Sequence, residues 1–411
     1  MKLFAFVVLV TLRITAASLP DTRPEDVGLS RERLLRIHET VQRHIDTHQI
    51  AGAVTLVARK GRIAHLEAHG VMDVDSKKPM AKNSIFRIWS MSKPITGVAV
   101  LMLMEEGKVR LNDPVSKFIP EFKDMKVAVA QERPGTVVQF NTVPTAREIT
   151  IQDLLTHVSG LGSGPASRAE IRTIGRKFSE TLADYVPRLG ATPLDFQPGT
   201  RWSYSPGAAF DTLARIVELV SGQTFDQFLR QRIFDPLDMK DVFFSPPEDR
   251  LSRIPTSYHR ADGVLQKVEN QDRMQSTTYF SGSGGLMADT EEYAHFGEML
   301  LEGGQLKGKR LLSPKTVELM SSVFVPDTLP GRPPGRGFGL GVQVVTDPIA
   351  AGYRVSTGSY GWDGAFGTHF WVDPKEKIVA ILMVQADNPN RQLDRDFENA
   401  VMQSIVESDH R

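Results

Sequence analysis

The chain contains no cysteine. That absence removes disulfide bridges, thiolate zinc sites and cysteine nucleophiles together, so covalent chemistry must fall to another side chain. An excess of charge is also missing: 49 Lys+Arg stand against 49 Asp+Glu. No polybasic surface is left over to recruit nucleic acid or an anionic membrane. Beyond the first eighteen residues no apolar run is long enough to span a bilayer. Internal repeats and low-complexity tracts are lacking as well. What remains is an ordinary globular composition, 41% apolar and 24% charged over 411 residues. That suffices for one large composite domain or more than one smaller one.

Residues 1–18 carry a targeting pattern. Lys2 supplies a minimal positive start, Leu3 to Leu12 is apolar, and Ala16, Ala17 and Ser18 are small enough for a cleavage site, although Arg13 interrupts the run. The expectation is a cleaved signal peptide. The protein would then be secreted or periplasmic, with no stable membrane insertion after cleavage.

The most informative stretch is 84–107, SIFRIWSMSKPITGVAVLMLMEEG. An apolar strand-like run ends at Trp89, and a helical pattern begins at once. Pro94 sits in the first turn, where its missing N–H costs nothing. Ile95, Val98 and Met102 recur at helical spacing, and Gly107 ends the run. Ser90 and Lys93 therefore lie one turn apart at the positive end of a helix. A hydroxyl, an amine and free backbone N–H groups converge there, as an activated serine nucleophile requires. The spacing alone is weak, since a surface lysine after a helix cap would look the same. The apolar strand before it and the apolar helix after it point to a buried elbow.

Taken in order, Ser30 caps a helix to about His48, with Leu34, Ile37, Val41 and Ile45 as its apolar stripe. Residues 52–59 and 62–69 read as a hairpin about Lys60-Gly61, with Pro79 in the loop that follows. Past Gly107 the chain is turn-rich, with Gly135 in a hairpin near 126–140. Thr150 caps a short helix, and helical patterns cover 168–190, 208–221 and 224–234. The glycine-rich SGSGGL, 281–286, precedes a helix from Thr290 to Leu301, and Ser313-Pro314 opens another. From 338 the period turns to two: GFGLGVQVV, the run from Ala365 to Val372, and KIVAILMVQ read as successive antiparallel strands. A helix from Gln392 to Glu407 closes the chain.

This order predicts an α+β fold: an antiparallel sheet flanked by N- and C-terminal helices, with a mostly helical insertion. The expected boundaries are 19–110 with 281–411 for the discontinuous α/β part and 111–280 for the helical part.

Two further stretches could complete a site. Tyr204, in PGTRWSYSPGAAF, stands at a loop-to-helix junction from which a tyrosine can reach a cleft; a backbone-bonded tyrosine is the alternative. In GWDGAFGTHFWVDP, Gly361, Gly364 and Gly367 permit close backbone approach where a strand begins, which can offer an oxyanion N–H.

With these motifs in place, the chain resembles the serine β-lactamase and penicillin-binding-protein superfamily, and within it the class C-like enzymes and family VIII carboxylesterases. S-M-S-K at 90–93 matches S-x-x-K. Y-S-P at 204–206 stands where the family has Y-x-N, and W-D-G at 362–364 where it has K-T-G, H-x-G or W-x-G. LLTHVSGL (154–161) and FGTHFWVDP (366–374) agree, and the likeness covers most of 25–405. It implies Ser90 as acylated nucleophile, Lys93 and Tyr204 as a coupled proton relay, and the backbone N–H groups of Ser90 and Ala365 as oxyanion hole. Either a phenolate beside Lys93 or a neutral Lys93 could be the base. No cofactor and no metal is implied.

The departures bear on substrate. Pro206 replaces an asparagine that contacts the β-lactam amide, Trp362 replaces a lysine that helps hold a carboxylate, and Asp363 adds a negative charge. Trp362, Asp363 and Gly364 are the expected substrate-binding residues, with Trp362 as an apolar wall and Asp363 leaving a cationic group possible. The resulting expectation is a carboxylesterase acting on small acyl esters. The alternatives are a β-lactamase or D-alanyl-D-alanine carboxypeptidase using a cation such as Arg201 or Arg354, an acyltransferase, and a non-catalytic binding protein.

Other constellations are set aside. No serine has glycine at both −2 and +2, so an α/β-hydrolase elbow is lacking. His157 reads as structural, and His369 near the W-D-G strand is not assigned. His44 and His48 have metal-ligand spacing on a helix without H-E-x-x-H. His65, Glu67 and His69 share one strand face and could hold a metal, but an exposed hairpin face accounts for them more simply. SGSGGL lacks the G-K-[ST] of a phosphate loop and reads as a turn beside the cleft.

Overall fold

In a computed structural model of the chain, residues 19–131, 139–269, 278–387 and 391–408 are described. The expected signal segment 1–18 and Gly135 lie outside them. Eight strands form the main sheet. In chain order they are β1 (Gly52–Arg59), β2 (Arg62–Asp73), β3 (Lys78–Pro79), β4 (Arg336–Phe338), β5 (Gln343–Val345), β6 (Tyr360–Asp363), β7 (His369–Asp373) and β8 (Ile378–Val384). Their spatial order is β4-β5-β6-β7-β8-β1-β2-β3, and every pairing is antiparallel. The seam between the two ends of the chain is β1 against β8, in register from Ala53↔Val384 to Arg59↔Ile378.

Two helical layers cover this sheet. On one face lie α1 (Arg31–Asp46) and the C-terminal helix α5 (Gln392–Met402). They bury Leu34, Ile37, Val41, Phe397 and Val401 against Ala53, Val57, Trp371 and Leu382. On the other face lie α2 (Ser92–Glu105), α3 (Ala208–Ser221) and α4 (Thr290–Leu301), whose core takes in Val54, Leu56 and Ala58. Covered on both sides, β1 is buried at every position, which is why GAVTLVAR shows little alternation. The α2 helix is likewise apolar all round because it is buried all round, from Ser92 to Leu103. Among the described residues no helix is long and apolar enough to cross a membrane.

Several expected elements differ in extent. The pattern at 168–190 is broken into Pro165–Ile174, Leu182–Tyr185 and a 3-10 segment, Val186–Ala191, because Gly175 turns the chain at φ +56°. GFGLGVQVV is not one strand: Gly341, at φ +85°, folds it into β4 and β5. The run from Ala365 begins as a turn, with Gly367 at φ +87°, so its strand starts at His369. W-D-G thus ends β6 instead of opening a strand. Pro79 pairs with Val71 at the edge of the sheet, where its missing N–H faces no partner strand. The last helix stops at Met402, short of Glu407.

Two histidine groups are also placed differently. His65 is half-buried and His69 fully buried under α1, so that hairpin face is not exposed. His44 is buried between Gln49 and Asp396, while His48 is exposed beyond the helix end; the two do not converge.

Candidate active site

The elbow is built by a strand, a strained residue and a helix. Ile85–Arg87 pairs with Met287–Asp289, and the Ile88 N–H continues the contact to Leu286 O at 3.1 Å. Trp89 then takes φ +45°, a conformation that costs a bulky side chain roughly 1–3 kcal/mol. The strain turns the chain into a 3-10 segment, Trp89–Met91, directly ahead of α2. Ser90 stands in that turn, half-buried, at the floor of a cavity of about 560 Å³.

Lys93 follows on the first turn of α2 and is fully buried. Its Nζ donates to Ser90 Oγ at 3.1 Å, to Pro206 O at 2.9 Å and to Ser283 O at 2.7 Å. Three donors meet three acceptors, the complete requirement of a buried ammonium. Ser283 belongs to SGSGGL, which lies flush on α3: a Cβ at Gly282 would meet Phe210 O at 2.6 Å. The expected turn beside the cleft therefore also supplies a lysine partner that sequence reasoning had not identified.

The Tyr204 hydroxyl donates to Ser90 Oγ at 2.6 Å. Its backbone is bracketed by His157, whose carbonyl accepts from Ser203 N–H at 3.1 Å and whose Nδ1 accepts from Ser205 N–H at 3.3 Å. The His157 ring meets the Tyr204 ring edge-on at 4.8 Å. Burial, with Lys93 and Arg332 nearby, pushes the His157 pKa well below the usual imidazole range. A neutral His157 is thus fixed as an acceptor, and its part is to hold Tyr204 in place.

W-D-G closes the cleft from β6. A Cβ at Gly364 would meet Thr368 Oγ1 at 1.9 Å and Ile88 O at 2.5 Å. Only glycine lets this strand end approach the backbone two residues before Ser90. Among the described residues the N–H groups of Ser90 and Ala365 have no hydrogen-bond partner, and both residues line the cavity. The Gly364 carbonyl accepts from Arg391 Nη2 at 2.8 Å, and Arg391 also contacts Asp394 at 3.0 Å. In a trans peptide the carbonyl and the next N–H point in opposite directions. Arg391, absent from the sequence reading, therefore fixes the peptide that carries the Ala365 N–H. Its approach joins positions 27 residues apart, and no local motif signals it.

The expected substrate contacts of W-D-G are corrected by strand alternation. Trp362 faces the cleft side, but its indole packs on Tyr204 at 5.5 Å and Phe338 at 5.1 Å. It backs Tyr204 and does not line the cavity. Asp363 faces the opposite way, toward α5, where Oδ1 meets His369 Nδ1 at 2.5 Å and His369 Nε2 meets Glu398 at 3.0 Å. Its charge is paired with His369 on the face away from Ser90, although the side chain itself keeps 42% of its surface exposed. The apolar walls come from Trp89, Phe244 and Tyr279. Arg201 and Arg354 are not among the lining residues. Arg176 is, with its guanidinium 4.3 Å over the Tyr279 ring.

Known proteins share this arrangement of elements. EstCE1, a hydrolase with promiscuous acyltransferase activity, superposes with a TM-score of 0.76 at 26% identity, over 90% of this chain and 99% of that one. Esterase EstB of Burkholderia gladioli is 30% identical over 395 residues, covering 90% of this chain and 94% of its own. Protein Rv1367c of Mycobacterium tuberculosis is 34% identical over 357 residues, covering 83% and 87%. Residues 37–403 match the Beta-lactamase family. With the α+β fold and the extent of that match, the chain belongs to the beta-lactamase family of serine hydrolases.

Proposed function

We propose that the protein is a carboxylesterase that cleaves small acyl esters through an acyl-enzyme on Ser90. The observation that carries this reading is the position of Ser90 Oγ, between the Tyr204 hydroxyl at 2.6 Å and Lys93 Nζ at 3.1 Å. Because Lys93 spends all three protons as a donor, Tyr204 is the group with an acceptor oxygen beside Ser90. In phenolate form Tyr204 takes the serine proton as Oγ bonds to the ester carbon. Oxyanion charge gathers between the Ser90 and Ala365 N–H groups. Collapse breaks the carbon–oxygen bond to the alcohol, which receives its proton from Tyr204. Water, deprotonated by the same oxygen, then attacks the acyl carbon; collapse breaks its bond to Ser90 Oγ, which takes the proton back from Tyr204, and the acid leaves.

A neutral substrate is favoured by the apolar walls of Trp89, Phe244 and Tyr279 and by the engagement of Arg391 on Gly364 O and Asp394. Salmonella relatives named as D-alanyl-D-alanine carboxypeptidases are 26% identical; for a substrate carboxylate the cation at the cavity wall is Arg176, exposed and stacked on Tyr279. Acyl transfer to an alcohol is a second reading, favoured by the room above Ser90 and by the EstCE1 likeness. Residues 1–18 are proposed to direct export; the mass of the protein recovered from a secreting host, starting near Leu19 or at Met1, decides that.

The test compares initial rates on nitrophenyl esters of rising acyl length with those on a chromogenic cephalosporin, for wild type and Ser90→Ala. Short esters should be turned over fastest, and the substitution should abolish turnover and labelling by a fluorophosphonate. Cephalosporin hydrolysis far above any ester would overturn the substrate class. Full activity in Ser90→Ala would remove the mechanism.

A further inference from the structure

We propose that His38, Glu67 and His69 form a site for one divalent transition-metal ion of the zinc type, which staples α1 to β2. The site lies on the sheet face opposite α2 and Ser90, and it stands independently of the esterase reading.

Cross-strand register assembles it. Thr55 pairs with Glu67, Ala53 with His69 and Val57 with His65. Ala53 and Val57 point into the core beneath α1, so Thr55, His65, Glu67 and His69 share that face. His38 comes down from α1, with Nδ1 at 2.7 Å from Glu67 Oε1. His69 Nδ1 lies 3.8 Å from the same oxygen. The three ligand atoms all fall within 4.8 Å of one another. Ligands of a tetrahedral zinc with bonds of 2.0–2.1 Å sit about 3.4 Å apart; on binding, the His38–Glu67 hydrogen bond of 2.7 Å opens and the 3.8 Å gap from His69 to Glu67 closes toward that spacing.

The second, independent observation is an orphan. The His69 side chain is wholly buried, yet its Nδ1 has no hydrogen-bond partner among the described residues, an uncommon state for a buried polar atom. Its other nitrogen, Nε2, lies 2.9 Å from Thr55 Oγ1, and that hydroxyl lies 2.8 Å from His65 Nε2. A hydroxyl has one proton to give. With His69 Nε2–H donating to Thr55 and Thr55 donating to His65, His69 Nδ1 carries a bare lone pair directed at a carboxylate. In the opposite tautomer an Nδ1–H points at Glu67 from 3.8 Å, too far to bond. A cation between the two atoms satisfies both. The Thr55 contact is the outer partner that metal-binding histidines commonly have. The outer side is open, with His38 half exposed and Glu67 a third exposed, leaving a fourth position for water.

The experiment uses untagged, chelator-treated full-length protein titrated with Zn²⁺ by calorimetry, with thermal unfolding followed in parallel. One equivalent should bind and raise the unfolding midpoint. His38→Ala, an exposed change that leaves the fold intact, should weaken binding by at least about tenfold, and Thr55→Val by about 10–100-fold. His48→Ala, exposed and off the cluster, should change nothing. Absence of stoichiometric binding to wild type, or equal affinity in His38→Ala, overturns the proposal. Ester hydrolysis should be the same with and without Zn²⁺, so failure of this site and failure of the Ser90 mechanism are read separately.

Discussion

At Ser90 the decisive quantity is a count of protons. Lys93 gives its three to Ser90 Oγ, Pro206 O and Ser283 O, so the proposed mechanism sends the Ser90 proton to Tyr204. Tyr204→Phe keeps the ring contacts with His157 and Trp362 and removes one oxygen. It is predicted to lower kcat by about 10²–10⁴ with little change in KM or unfolding midpoint; a wild-type rate in this variant would remove Tyr204 from the mechanism. Lys93→Ala is a poorer probe because it also strands two buried carbonyls. Arg391 acts one step further out, through the Gly364–Ala365 peptide. Arg391→Ala should lower kcat while compressing the rate ratio between an ester and its thiono analogue, whose sulfur is a weaker oxyanion acceptor. Lysine at 391 should recover part of that ratio. An unchanged ratio would show that Arg391 only steadies the loop.

Among the elements, the segment from β6 to β7 shows what a sequence reading can and cannot reach. Caps at Ser30 and Thr150 were legible because a side-chain oxygen bonding its own helix is local. Ser90, Lys93 and Tyr204 were legible as a resemblance, and Ser90–Lys93 also as one helical turn. The facing of Trp362 and Asp363 was not, because it depends on where the strand ends. A shift of one residue exchanges the two faces of a strand, and the boundary is set by the turn at Gly364–Gly367. Arg391 and Ser283 were missed since their partners are distant in the chain. The same segment yields a structural prediction. Gly364→Ala places a Cβ against the backbone oxygen of Ile88, which cannot move without disturbing the elbow. The strand end must retreat and carry the Ala365 N–H with it. Ester turnover should fall by at least about 10²-fold, the usual cost of one oxyanion donor, together with a lower unfolding midpoint. If turnover is kept while stability falls, the Ala365 N–H is not an oxyanion donor.

Over the whole molecule, stability rests on tying the two chain ends to one sheet. The β1–β8 seam joins them through the ladder, and a charge group centred on the buried His369 joins β6 and β7 to α5. Burial alone would lower the His369 pKa, but attraction to Asp363, the hydrogen bond to it and the nearby Glu398 carboxylate outweigh it and raise the value well above the usual range. For Asp363, burial acts to raise the pKa and the His369 charge outweighs it, so the carboxyl is held low. The signs then fix a window. A histidine with a raised folded pKa contributes fully below its unfolded value, about 6.5, and loses that contribution as pH rises toward the folded one. A depressed aspartate contributes fully above about 4 and loses it as pH falls. Asp394 is pushed by burial up to about 6, so its own contribution falls between about pH 4 and 6 and is constant above, in wild type and variant alike. The stability difference between wild type and His369→Gln, measured by denaturant unfolding from pH 3 to 9, should therefore peak between about pH 4 and 6.5 and shrink on both sides. A difference that is flat across this range would mean that His369 is neutral in the folded protein, and that packing, not charge, holds α5 to the sheet.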